Sequence, residues 1–305
     1  MKQVYGKAVR SMKRRSKGEK IFAVFNTIFL LSLCIIFFLP VWHVAMGSIS
    51  DPLKVAATSG LYIKPLGEVT LGGYKLIMQN ATILRSYGNT IIYVTAATLF
   101  GLVLNILAAY VMSTKDLLFG RPFALFIVFT MIFSGGLVPT FMVINKLGMM
   151  NTRWALIIPG ALSAYNIIIM RTSFAGIPEE MLDAARIDGA SEIKILTRII
   201  LPVSKSIIAV IVLFYAVQHW NSWFSAALYL PKARNLYPLQ LTLREIVLQS
   251  TENSIIADVD GQDVMIFRPL IKYATIMIST IPMMILYPFV QKYFVTGVMI
   301  GSVKG

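Results

Sequence analysis

The sequence predicts an all-α, polytopic membrane protein with six transmembrane helices, and three observations carry that reading. Hydrophobic residues make up 57% of the 305-residue chain and charged residues 14%, against about 45–50% and about 25% in soluble domains. The apolar residues gather into runs close to the roughly 20 residues a helix needs to cross about 30 Å of hydrocarbon. The remaining charge is lopsided, with Lys+Arg 28 against Asp+Glu 14 and a formal net charge of +14. In a chain whose mean hydropathy is +0.72, that excess reads as cytoplasmic loops and not as a nucleic-acid surface, so no nucleic-acid partner is expected. The same balance excludes a disordered chain.

The first run, 21–44, is interrupted by little except Asn26, Ser32, Pro40 and His43. It is about twice the length of a signal-peptide core and no small-x-small cleavage site follows, so it is read as an uncleaved spanning helix. The next runs are 91–112, 122–144, 155–170 with its flanks, 207–228 and 271–289. The fourth is short and holds Asn166. Within the third, Ser134-Gly135-Gly136 reads as a break in a helix or a re-entrant bend.

The basic leader 1–20, with eight Lys or Arg against Glu19, is expected in the cytoplasm. Alternation then places 45–90 outside, 113–121 inside, 145–154 outside, 171–206 inside, 229–270 outside and the tail 291–305 inside. Both termini are thus expected in the cytoplasm. The organisation is a leader 1–20, a first helix 21–44, an extracytoplasmic segment 45–90 and a core 91–290 carrying a cytoplasmic loop 175–205 and an outer loop 229–270.

Catalytic signatures are lacking: the chain has no G-x-x-x-x-G-K-[ST], H-E-x-x-H or C-x-x-C. Cys34 is the single cysteine, and His43 and His219 are too few for a histidine-rich metal site. No cofactor is expected to be bound by this chain, and it is read as a non-enzyme.

The informative stretch is the cytoplasmic loop. Pro178 suits the first turn of a helix, and Glu179, Glu180 and Asp183 complement its dipole. Met181, Ala184, Ala185 and Asp188 recur at helical spacing as a small, apolar face with Arg186 beside it. Gly189 ends the helix as a C′ glycine. Ser191 caps a second helix, with Glu192 in its first turn, that carries Ile193, Leu196, Ile199 and Ile200 toward Leu201-Pro202. Two short amphipathic helices at an angle form a docking surface for a soluble partner.

The order Asp183-Ala184-Ala185, three residues, Gly189, nine residues, Ile199, one residue, Leu201-Pro202 resembles the Glu-Ala-Ala loop of ABC importer permeases, with Asp183 where the family has Glu. A second block, 133–139 with 147–152 and 155–159, resembles the carbohydrate-uptake, maltose-permease-like branch. Its Ser-Gly-Gly-Leu form is similar to permeases for complex oligosaccharides and polysaccharide fragments, and Trp220-Asn221-x-Trp223 fits the same group.

The resemblance covers roughly 20–300 and implies a type I ABC importer permease fold in a bacterial inner membrane. It implies a heterodimer with a second, homologous permease, two copies of an ABC ATPase that bind ATP and Mg, an extracytoplasmic sugar-binding protein or lipoprotein, and contact with membrane lipid. The ATPase-coupling residues it implies are Glu180, Asp183, Ala184, Ala185, Arg186, Asp188, Gly189, Leu201 and Pro202. The outer loop would touch the binding protein, its polar tip at 251–263.

Sugar would be recognised by hydroxyl, amide and aromatic groups, for which the candidates are Asn105, Tyr110, Tyr165, Asn166, Gln218, Trp220, Asn221 and Trp223. Trp220 and Asn221 are the first choices. The rival readings are a secondary transporter, which would want intramembrane charges or matching broken helices, and a membrane-embedded enzyme.

Overall fold

A computed structural model describes residues 16–114, 117–248 and 262–302. Among the described residues the chain is helical, with no strand. Most of the polar tip expected at 251–263 and most of the leader fall outside them.

Helix α1, Lys17–Ser48, starts where Ser16 and Glu19 satisfy each other's backbone N–H groups: Ser16 Oγ accepts from Glu19 N at 3.2 Å and a Glu19 carboxylate oxygen accepts from Ser16 N at 2.9 Å. None of its apolar window is buried, so this surface faces away from the rest of the chain. Its C-terminal end is tied down: Tyr62 N donates to His43 Nδ1 at 3.0 Å, and the His43 ring lies against Tyr62 and Tyr273. Two short helices, α2 (Pro52–Ala57) and α3 (Gly72–Gln79), lie in the segment read as extracytoplasmic.

Helix α4, Ala81–Ser113, is the central strut and begins ten residues before the apolar run at 91. Asn80 caps it by accepting from Thr82 N and Ile83 N. The polar first turns are helical because distant chain satisfies them. Ser86 meets Thr242 at 2.8 Å, and Asn89 donates to the carbonyls of Asn235 and Tyr237. Arg153 donates in turn to Asn89 Oδ1 at 3.0 Å.

The run 122–144 is two helices, α5 (Gly120–Ile132) and α6 (Leu137–Lys146), bent by 107°. The expected break falls at 133–136, where Gly136 takes φ +87°, a backbone open to glycine at little cost. The run 155–170 is likewise divided, into α7 (Trp154–Ile157) and α8 (Ala164–Phe174), the latter capped by Ser163. After α9 (Glu179–Ile187) and α10 (Glu192–Val203), the run 207–228 resolves into α11 (Lys205–Trp220) and α12 (Phe224–Tyr229), parted at Asn221. Helix α13, Leu239–Leu248, lies in the segment 229–270 read as an outer loop, and α14, Gln262–Ser302, far exceeds the run 271–289.

Three described helices are long and apolar enough to cross a membrane: α1, α4 and the 266–288 part of α14. The bent pairs α5–α6 and α10–α11 bring the number to at most five by length and composition, against the six runs read from sequence. The difference lies in the run 155–170, which bears Pro159 and Gly160 and is broken between Ile157 and Ala164. Hydropathy sees continuous apolar sequence there, and the backbone is broken.

Candidate functional site

The chain presents two candidate sites at opposite ends of α8, a bracket built from α9 and α10 and a groove between α8, α11 and α14.

In the bracket, Pro178 is the cap of α9, in extended backbone, one position before the first turn where the sequence reading placed it. Glu179 and Glu180 occupy the first turn and favour the dipole. At the other end Gly189 has φ +75°, Gly189 N donates to Arg186 O at 3.0 Å and Ala190 N to Ala185 O at 2.9 Å. This is the glycine-terminated end that lets the chain leave at an angle. Ser191 caps α10 by accepting from Lys194 N. A π turn, Leu196–Ile200, precedes Pro202, which has no N–H to give to Arg198 O, so the wider turn absorbs the missing bond. Leu201 packs partly against the core and Pro202 is exposed.

The apolar residues of the bracket divide between two faces. Leu182, Ala185 and Ala190 pack against the chain's own core of Ala109, Met112, Ile167, Met170, Phe174, Ile195, Leu196 and Ile200. Met181, Ala184, Asp188 and Gly189 face outward, joined by Ile187 at 86% exposure and Ile193 at 75%. Ala185 therefore leaves the small-residue face predicted for it, and Ile193, read on the second helix with Leu196, Ile199 and Ile200, faces outward while Leu196 and Ile200 are buried. Ile187 is a bracket residue that the sequence reading missed; a large apolar group two residues before a helix-ending glycine is the signal that could have found it.

Charge organises the rim. Arg186 reaches Asp183 at 3.1 Å within α9 and Glu192 at 3.4 Å across the bend. Tyr110, near the end of α4, donates its hydroxyl to the other oxygen of Glu192. The Tyr110 hydrogen bond holds the Glu192 carboxyl below its usual range; Arg186 adds to this and burial opposes it. Arg171 of α8 donates to Met112 O at 2.9 Å, so both flanks of the bracket are tied to one helix end.

The groove has a volume of about 670 Å³ and is lined by Ser163, Tyr165, Asn166, Leu213, Phe214, Val217, Gln218, Met283 and Tyr287. None of these side chains is ionisable near neutral pH; hydroxyl, amide and aromatic groups alternate with aliphatic ones. Of the predicted path residues the groove gathers Tyr165, Asn166 and Gln218. Ser163 and Tyr287 were missed, although Tyr287 stands four residues after Met283 on one helical face.

The others lie elsewhere. Asn105 is fully buried and donates to Gly101 O, Ala161 O and Tyr215 Oη at 2.6, 2.8 and 2.6 Å, which makes it a helix clamp. Tyr110 belongs with the bracket. Trp220 is buried, gives its indole N–H to Ser279 O at 3.0 Å and lies edge-on to Tyr87. Asn221 is exposed and caps α11, bonding Val217 O at 2.9 Å. Trp223 lies beneath the Arg244 guanidinium at 4.0 Å. Asn105, Trp220 and Asn221 share a physical reason: in a helix surrounded by apolar neighbours, an indole or amide is used first to satisfy backbone carbonyls.

The profile described as "Binding-protein-dependent transport system inner membrane component" matches residues 122–300. Protein LplC of Bacillus subtilis (strain 168) is 38% identical over 95% of this chain and 97% of its own length. The polygalacturonan/rhamnogalacturonan transport system permease protein YtcP of the same organism is 37% identical over 91% of this chain and 96% of its own. A crystal structure of a bacterial ABC transporter involved in the import of the acidic polysaccharide alginate contains a chain that superimposes with a TM-score of 0.84 at 30% identity, covering 92% of this chain and 99% of that one.

Proposed function

The chain belongs to the family of binding-protein-dependent transport system inner membrane components, and from that premise we propose that it imports oligosaccharide by alternating access, with this chain supplying part of the sugar path and the bracket that receives force from an ATPase. It is a permease subunit of an ABC importer and a membrane component, not an enzyme.

The observation that carries the reading is the position of α8. Its first turn brings Tyr165 and Asn166 to the groove, and its last turns bring Met170 and Phe174 to the core under the bracket. Eleven residues at 1.5 Å each make a lever of about 16 Å. A push on α9 and α10 is thereby delivered to the groove through packed side chains, which transmit strain because interiors are dense. On this reading Glu180, Asp183, Ala184, Arg186, Asp188 and Gly189 face the ATPase, while Ala185, Leu201 and Pro202 set the bracket's shape.

The remaining parts follow the same reading. A second, homologous permease closes the path opposite the groove. Two ATPase subunits carry ATP and Mg. An extracytoplasmic sugar-binding protein delivers substrate to the outer loop. The chain crosses six times, α8 with its flanks being the short crossing, and both termini lie in the cytoplasm. Uncharged hydroxyl, amide and aromatic groups suit sugar hydroxyls and C–H faces. Two chains similar to this one, by name or by the transporter that contains them, handle polysaccharide.

The test is the complex rebuilt in liposomes with its ATPase and binding protein, scored with neutral and uronate oligosaccharides. Uptake of either supports the reading. Gln218→Leu and Tyr165→Ala should lower uptake while leaving assembly intact. Loss of neither uptake nor specificity in these variants counts against the groove, and failure to retain an ATPase subunit in mild detergent counts against the importer. In a Cys34→Ser background, single cysteines at Ser16, Asn235 and Ser302 test topology: an impermeant thiol reagent on intact cells should label position 235 alone.

A further inference from the structure

The residues that join the bracket to α4 form one chain of contacts: Tyr110 hydroxyl, Glu192 carboxylate, Arg186 guanidinium, Asp183 carboxylate. This chain runs from the central strut, across the second arm of the bracket, over the bend at Gly189 and onto the first arm. Among the described residues, apolar packing also holds the bracket to the strut: Ala109 and Met112 pack with Ile195, Leu196 and Ile200. Apolar contact is non-directional and leaves a short helix free to roll or slide over its neighbour. A hydroxyl bonded to an ionised carboxylate has one short geometry and is among the stronger hydrogen bonds. It therefore sets the rotation of α10, and through the Arg186 fork the angle of α9.

We propose that Tyr110 is a positioning residue for coupling: it locks Glu192, and through Glu192 and Arg186 it presents the outward face of α9, with Ala184 and Ile187, in the orientation an ATPase subunit engages. The inference rests on the bracket being the ATPase contact, and it adds a residue of the membrane helix to that machinery. Removing the hydroxyl leaves the ring in its packing and frees one carboxylate oxygen. Arg186 then keeps its two carboxylates but loses its tie to the strut, so the bracket moves as a unit relative to α4.

The experiment uses the full complex with Cys34→Ser and spin labels at Val111→Cys on α4 and Lys194→Cys on α10, both at exposed positions and neither among the residues assigned to the ATPase face. Tyr110→Phe should broaden the distance distribution between the labels. It should lower binding-protein-stimulated ATPase activity and uptake several-fold, with the transported-sugar-per-ATP ratio falling as well. Glu192→Gln keeps a carbonyl acceptor for the phenol and should retain the narrow distribution; Glu192→Ala should reproduce Tyr110→Phe. The double variant Tyr110→Phe/Glu192→Ala should be no worse than Glu192→Ala alone, because the two act through one contact. A narrow distribution and unchanged coupling in Tyr110→Phe overturn the proposal, as does an additive double variant. If the unaltered complex shows no stimulation, the ATPase-contact reading fails; the label distances still decide whether Tyr110 locks the bracket.

Discussion

The Asn105 side-chain amide lies 2.6 Å from the Tyr215 hydroxyl, and both donate to the carbonyl of Ala161, each at 2.8 Å. Asn105 also accepts from Ser163 N at 3.3 Å. One residue of α4 thus joins α11 to the irregular chain between α7 and α8. Irregular backbone at membrane depth is tolerated where protein satisfies its polar groups, and Asn105 is the group that does so here.

Asn105→Leu is expected to destabilise the permease by about 1–3 kcal/mol, the range for leaving buried polar groups without a partner. Thermal unfolding in detergent measures it. The change should also widen the path between Ser163 and Gln218 without altering which sugar is preferred. A preserved melting temperature, or a switch in sugar preference, would return Asn105 to the substrate path.

Gly189 gives a backbone prediction. Nothing lies within 4 Å of a Cβ built there, so the cost of a side chain is conformational alone. At φ +75° a β-branched residue is opposed by about 1–2 kcal/mol, whereas Asn tolerates the left-handed region. Gly189→Val should uncouple binding-protein-stimulated ATPase activity from uptake, and Gly189→Asn should retain most of both. Equal activity in the two would show that the angle at 189 is not what matters.

These two residues also mark the boundary of what the sequence discloses. The helix end at Gly189, the cap at Ser191 and the break at Ser134–Gly136 follow from local backbone chemistry, and each stands where its residue type demands. The roles of Asn105 and Trp220 depend on which side of a helix faces a neighbour. In a helix bathed by apolar side chains and lipid alike, hydrophobic periodicity carries little of that information. The first turns of α4 were hidden for a related reason. Arg85, Ser86 and Asn89 interrupt the apolar run, and Ser86 and Asn89 find their partners near 235–242 of the chain. The division of Ala184 from Ala185 was hidden because small residues fit either face.

The bracket should respond to acid. The Glu192 carboxyl is held below its ordinary value by the hydrogen bond from Tyr110, with Arg186 adding to the effect and Asp183 facing Arg186 from the other side. A depressed folded-state value means that the contribution is fully present above the ordinary carboxylate range, about 4.3 for Glu, and is lost as pH falls through the lower folded value. Melting temperatures of the wild type and Glu192→Gln should therefore differ most at neutral pH and converge on acidification. Parallel curves down to pH 3 would show that Glu192 carries no such linkage.

The sharpest test separates two neighbouring alanines. Ala184 is exposed on the outward face of α9, while Ala185 is half-buried against the core that holds the bracket to α4 and α8. A tryptophan at 184 meets solvent in the permease alone, and surface changes of that kind are usually worth within about 0.5 kcal/mol. In the complex it holds the ATPase surface away, and dispersion contact decays over a gap of about 1 Å. A tryptophan at 185 must instead be fitted into packed side chains, at about 1–3 kcal/mol. So Ala184→Trp should keep the permease's melting temperature and lose co-purification of the ATPase. Ala185→Trp should lower the melting temperature first, and lose the ATPase as a consequence. Ser would serve as the mild control at both positions. If the two tryptophan variants lose stability equally, the outward and inward faces of α9 have been assigned wrongly, and if Ala184→Trp retains the ATPase, the docking surface lies elsewhere on the bracket.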